Sequence, residues 1–147
     1  MLHERHAGRL VTFFDSPTGR RWRIQARRKQ IWPTYFEQLA EWAEKNKVGL
    51  PTILDTCEQS YHMFYLLMPS LAARQELIDR LRRSGILSVF HYLPLHLSEM
   101  GRKFGGKEGD CPVTEDISDR LLRLPFYFSL TEEDQRQISN AVCGFCK

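Results

Sequence analysis

Two imidazoles and a phenol crowd into one six-residue stretch, His91-Tyr92-Leu93-Pro94-Leu95-His96. A neutral imidazole can donate to a phosphate or hydroxyl and take up a proton near neutral pH, and a tyrosine hydroxyl can orient a sugar or a phosphate. The cluster lies where a predicted strand, 86–92, runs out into a loop carrying Gly101, Gly105, Gly106 and Gly109. Such a loop is a common place for ligand contact. The same residues also fit the blander reading of two half-buried histidines at a strand end, and His62 reads as a core or edge histidine rather than a catalyst.

Other motifs carry less. Gly101-Arg102-Lys103-Phe104-Gly105-Gly106-Lys107 lacks the P-loop spacing, and neither a nucleophile elbow nor a dinucleotide fingerprint occurs. Cys143-Gly144-Phe145-Cys146 follows a predicted helix, whereas a redox pair works at a helix start, where the dipole lowers the first thiol's pKa. Structural zinc would need two further ligands at close spacing. The four cysteines are therefore expected as reduced, incidental thiols. Residues 1–30 hold eight basic side chains (Arg5, Arg9, Arg20, Arg21, Arg23, Arg27, Arg28, Lys29) against Glu4 and Asp15, a local charge of +6 in a chain of net +3. A run of this kind is usually the solvated face of a helix, and nucleic-acid binding is not expected.

The elements that must position these groups follow from periodicity. With 147 residues and 42% hydrophobic composition the chain is long enough for one domain that buries about 70% of its unfolded surface. No apolar run approaches the roughly 20 residues of a membrane span, and no signal core opens the chain, so a cytoplasmic location without membrane contact is expected. Asp15-Ser16-Pro17-Thr18-Gly19 is a turn signal after the apolar run 10–14, consistent with a hairpin or a loose segment. From 22 to about 47, Ile24, Ile31, Trp32, Tyr35, Phe36, Leu39, Trp42 and Ala43 mark one helical face, with a kink or break expected at Pro33. A turn at 48–51 precedes a buried strand over 61–68. Ser70 caps a second helix that ends at Gly85, and a second strand follows at 86–92. A short helix can start at Ser98. Thr114 opens a third helix running through Leu122, 124–128 is a short extended piece, and Thr131 to Asp134 has capping-box spacing before a last helix with Ile138, Ala141, Val142 and Phe145 buried. The fold class is α/β, a small sheet packed with helices, in strand-helix-strand order.

The stretch FHYLPLHLSEMGRKFGGKEGDCPVTEDISDRLLRLPFY, residues 90–127, resembles the C-terminal domain of the DegT/DnrJ/EryC1/StrS sugar aminotransferases, and within them the dTDP-4-amino-4,6-dideoxygalactose transaminases. HYxPLH, KFG, CPVTED and RLPFY in that order form a specific combination. The likeness extends back through YHMFYLL (61–67) and ARRKQIWPTYFEQL (26–39), which divides the chain into an unmatched segment, 1–21, and an aminotransferase-like small domain, 22–147, of the kind found in fold-type I pyridoxal phosphate enzymes.

The resemblance implies pyridoxal phosphate-dependent transfer of an amino group from glutamate to a dTDP-linked 4-keto-6-deoxyhexose, in surface-polysaccharide building such as enterobacterial common antigen. Such enzymes place the Schiff-base lysine, the acidic partner of the pyridine nitrogen and most phosphate ligands in a large N-terminal domain. The lysines here, Lys29, Lys45, Lys47, Lys103, Lys107 and Lys147, do not correspond to that lysine. The chain is accordingly expected to be a C-terminal fragment with an improvised start, inactive by itself and binding no pyridoxal phosphate alone. No catalytic residue and no metal ligand is assigned. His91, Tyr92 and His96, with Phe90 as a packing neighbour, match the small-domain edge that faces the nucleotide-sugar. The expected partners are that dTDP-linked substrate and either the missing large domain or a second copy, since these enzymes commonly act as dimers. A stand-alone nucleotide-sugar binding module, or half of a split enzyme, are the alternatives.

Overall fold

The computed structural model describes residues 17–145. The hairpin considered for 10–14 lies outside them. Pro17, Thr18 and Gly19 do not form a turn but begin helix α1 (Pro17–Lys45), since proline's fixed φ and missing N–H suit a first helical position. The helical start thus precedes the boundary at 22 drawn from the sequence.

Pro33 lies inside α1 without ending it. It is exposed, as is Lys29 one turn earlier, so the carbonyl that loses its amide partner remains in water. Thr34 Oγ1 donates to the Gln30 carbonyl at 3.1 Å. Ile31, Trp32 and Tyr35 on either side of the proline are buried in the core, and that packing outweighs the local preference. Lys47, with φ of 56°, turns the chain out of the helix.

Next come β1 (Tyr65–Leu67), α2 (Leu71–Arg83), β2 (Val89–Phe90), a 3-10 turn (Leu95–Leu97), α3 (Glu99–Lys103), α4 (Pro112–Arg120), β3 (Leu121–Arg123) and α5 (Glu132–Cys143). Four helix ends match their sequence signals, whereas α4 begins at Pro112 behind Cys111 rather than at the expected Thr114, proline suiting a first helical position. Ser70 accepts from the Ala73 amide, Gly85 takes φ of 75° after α2, Ser98 accepts from the Gly101 amide, and Thr131 with Asp134 forms a reciprocal capping box.

The sheet differs from the expected strand-helix-strand unit. Its order is β1-β3-β2, antiparallel throughout, with the last strand in sequence at the centre. Residues 121–122, expected to finish a helix, belong to that central strand, where Leu121 and Leu122 are buried. α4 stops at Arg120 because burying both leucines requires ladder partners on each side, and Leu66 and Phe90 supply them opposite Leu122. The flanking strands are shorter than their apolar runs. Tyr61 has φ of 47°, and Pro125 follows β3 with no amide to donate. Gly49 closes the far edge as an isolated bridge to Leu67.

The core gathers Tyr35, Leu39, Phe64, Leu66, Leu77, Leu81, Leu122 and Val142, all essentially inaccessible. Buried polar groups tie α5 and the chain after it to α1: Gln135 Nε2 donates to the Ile31 carbonyl at 2.7 Å and Trp42 Nε1 to the Phe145 carbonyl at 2.7 Å. Tyr35 donates its hydroxyl to the Pro125 carbonyl at 3.0 Å, and burial pushes its phenol well above the ordinary range. Trp32 stacks on Phe36 and meets Phe64 edge-on, so the aromatic face of α1 is core rather than a base-stacking platform.

Candidate functional site

Antiparallel pairing assigns each strand residue to a face of the sheet. Leu66, Leu122 and Phe90 pair across the three strands and share the face that packs on the core. Tyr65, Arg123 and Val89 form the next row and share the opposite face. Phe90, the expected packing neighbour, is half-exposed at the sheet edge with the Arg74 guanidinium 5.5 Å from its ring centroid.

His91 and Tyr92 leave the end of β2 together, their ring centroids 5.0 Å apart. The Arg123 guanidinium lies 5.3 Å from the Tyr92 centroid. Ser118 Oγ donates to the Tyr92 carbonyl at 3.0 Å, fixing the backbone of the pair to α4. Burial holds the His91 imidazole below its ordinary pKa, with the nearby charges of Arg123 and His62 acting in the same direction. His91 is therefore neutral at pH 7. Its Nδ1 and the Arg123 Nε are buried atoms without a hydrogen-bond partner.

Arg123 and His62 both line a cleft of about 560 Å³. Its other walls include Val89 of β2, Gly85 at the end of α2, Tyr127 and Asp134. Arg123 thus links the cleft to the His91–Tyr92 pair. Sequence reasoning missed Arg123, because Arg120-Leu121-Leu122-Arg123 continues a helical pattern and its strand pairing is set by distant partners. His62 is exposed, with Ser60 Oγ at 2.7 Å from its Nδ1, and is not a core residue.

His96 is placed differently. Its Nε2 lies 2.7 Å from Glu115 Oε1, and the Glu115 carboxylate also accepts from the Gly109 amide at 3.0 Å and the Cys111 amide at 3.3 Å. The hydrogen bond from His96, and then that from Gly109, hold the Glu115 carboxyl below its ordinary range. The glycine-rich stretch forms no phosphate cradle; it packs against this turn. A Cβ at Gly101 would lie 2.7 Å from the His96 carbonyl oxygen, and one at Gly106 would overlap the same oxygen. Glycine at both positions lets the loop close onto the 3-10 turn. His96 is in this way tethered to α4, while His91 and Tyr92 face Arg123.

The described lysines, Lys29, Lys45, Lys47, Lys103 and Lys107, are exposed and absent from the cleft lining. These residues do not fit a pyridoxal phosphate site, which needs a lysine amine inside the pocket. Among the described residues no three metal-ligating side chains gather, and no helix is long and apolar enough to cross a membrane. Cys57 and Cys111 are exposed free thiols, Cys143 directs its Sγ toward the Gln38 carbonyl, and Cys146 of the CxxC pair lies outside the described residues.

Residues 20–143 match the DegT/DnrJ/EryC1/StrS aminotransferase family. The chain is 33% identical over 125 residues to the uncharacterized protein MJ1066 of Methanocaldococcus jannaschii, covering 81% of this chain and 31% of that one. It is 29% identical over 119 residues to dTDP-3-amino-3,4,6-trideoxy-alpha-D-glucose transaminase of Micromonospora megalomicea, covering 80% and 31%. A solved DegT DnrJ EryC1 StrS aminotransferase from Brucella abortus superimposes with a TM-score of 0.68 at 28% identity, over 83% of this chain and 31% of that one. The chain belongs to the DegT/DnrJ/EryC1/StrS aminotransferase family and spans about 31% of the length of these relatives. The small α/β domain anticipated from the sequence is the fold observed, and its structural neighbours are sugar aminotransferases of fold type I.

Proposed function

We propose that this chain acts as the small, substrate-facing domain of a sugar-nucleotide aminotransferase, holding a dTDP-linked 4-keto-6-deoxyhexose while a large domain, on another chain or another part of the same protein, supplies pyridoxal phosphate and its lysine. When bound there, the cofactor would carry the amino group from glutamate to the keto carbon. The observation that carries the reading is the convergence of His91 and Tyr92 with Arg123 at the end of β2. In this reading His91 donates from a neutral ring to a sugar or phosphate oxygen and the Tyr92 hydroxyl orients the sugar. His96 is the third member of the segment and acts through its bond to Glu115, which fixes the chain beyond Tyr92. The proposal extends to surface-polysaccharide building, such as enterobacterial common antigen, in the cytoplasm.

Calorimetry of the full chain with a dTDP-linked hexose is the direct test. Binding weakened at least fivefold in Tyr92→Ala and in His91→Ala is expected, with a smaller loss in His96→Ala. The chain alone is expected to transfer no amino group from glutamate. Equal affinity in the three variants and the unmodified chain would sink the site.

A further inference from the structure

Basic side chains from three separate parts of the sequence meet beside the cleft. Arg123 comes from the central strand, His91 from the end of the edge strand, and His62 from the segment before β1. The charges of Arg123 and His62 both act on the His91 ring. Of the three only Arg123 carries a fixed charge, since the His91 ring is held neutral. No ion pair among the described residues engages Arg123; the carboxylate that lines the same cleft, Asp134, bonds the amide and hydroxyl of Thr131 through its Oδ2 instead. Buried polar atoms are ordinarily satisfied, yet the Arg123 Nε and His91 Nδ1 find no partner.

We propose that this cluster is a binding site for an anionic oxygen group, phosphate or carboxylate, seated by the Arg123 guanidinium with the His91 and His62 imidazoles beside it. A guanidinium offers a planar fork that matches the paired oxygens of either anion. The Tyr92 ring, 5.3 Å from the guanidinium, restrains Arg123 before ligand arrives. The adjoining cleft of about 560 Å³ leaves room for the rest of a ligand. The basic turns of α1 differ in kind, because Arg20, Arg21 and Arg23 are exposed and solvated. The inference deepens the nucleotide-sugar reading and rests on it for the identity of the ligand's remainder.

The test is titration of the full chain with inorganic pyrophosphate and, separately, with glutamate, followed by calorimetry and by the NMR resonances of the arginine Nε and histidine ring groups. Saturable binding that moves the Arg123 and His91 signals is expected. Affinity should fall at least tenfold in R123Q, fall less in R123K, and stay unchanged in R21Q. Where R123Q fails to fold, H91Q carries the test with a severalfold loss. Pyrophosphate bound in preference to glutamate identifies the group as a substrate phosphate; the reverse identifies the carboxylate of an amino donor. No saturable binding of either anion, affinity unchanged in R123Q, or signals confined to Arg20–Arg28 would overturn the site. A dTDP-linked sugar that binds R123Q undiminished would remove the anion site and leave the nucleotide-sugar reading standing. Pyrophosphate binding that depends on Arg123, with a dTDP-linked sugar no tighter, would do the reverse.

Discussion

The side of the molecule built from α1, α2 and α5 closes on itself, whereas the segment from Leu87 to Phe104 leaves its apolar side chains in water. On the first side Tyr35, Phe64, Leu77 and Val142 are inaccessible, and Tyr35, Trp42 and Gln135 each spend a polar group on a backbone carbonyl. On the second, Leu95 is 85% exposed, Phe104 86% and Tyr92 69%. One strand separates the two environments: Leu122 of β3 is fully buried, while Arg123 beside it faces the cleft. In the proposed reading, the strand that anchors the core through Leu122 also presents Arg123 to ligand. The exposed segment contributes β2 to the sheet, and the side chains beyond it add little to the core.

Truncating Phe64 tests that division most severely. Phe64 packs against Trp32 and Tyr35 with centroid separations of 5.5 and 5.2 Å, and removing a buried ring of this size costs about 3–5 kcal/mol. Phe64→Ala should lower the denaturant midpoint by a corresponding amount, whereas Leu95→Ser should change it by less than about 0.5 kcal/mol, as expected for a surface substitution. Comparable losses in the two variants would show that the exposed segment is part of the stabilising core.

Gly106→Ala probes the second region directly. The added methyl would overlap the His96 carbonyl oxygen, and forced overpacking costs about 1–3 kcal/mol. The loop can swing off the turn, so the expected result is faster amide exchange across residues 95–111 with the helical core still protected. Equal loss of protection in α1 and α5 would mean that the two regions unfold as one unit.

The same contrast governs what could be read from the sequence. Caps are local chemistry, and Ser70, Ser98 and Thr131 mark their helix starts because each bonds an amide three residues on. β3 was not legible. Arg120-Leu121-Leu122-Arg123 continues a helical pattern, and its change to strand is decided by Tyr65–Leu67 and Val89–Phe90, which are distant in sequence. Misreading β3 also hid Arg123, since its orientation follows from strand alternation. Pro33 was read from its local cost, but the core contacts on both sides of it are not local. The HYLPLH segment was visible as a cluster; the separation of its histidines was not. His91 turns toward Arg123 and His96 toward Glu115, a carboxylate 19 residues away.

That tether provides the smallest of the expected effects and separates the regions by pH. Glu115 has its folded pKa lowered, first by the hydrogen bond from His96 and then by the Gly109 amide. A carboxylate of this kind contributes stability that is fully present above its unfolded pKa and is lost as pH falls through the depressed folded value. The contribution should therefore be intact at pH 7 and disappear below the ordinary glutamate range. Because the group is on the surface, the consequence is local: the turn at His96 loosens from α4 and the loop carrying Gly109 opens, while the core stays folded. Chemical shifts of the Gly109 and Cys111 amides followed from pH 7 down to about 3 should report one carboxylate titrating below the ordinary range, and Glu115→Gln should abolish that transition. The amides of α1 should not respond. A transition that survives Glu115→Gln, or that spreads into α1, would show that the His96 turn and the core are coupled more tightly than their packing indicates.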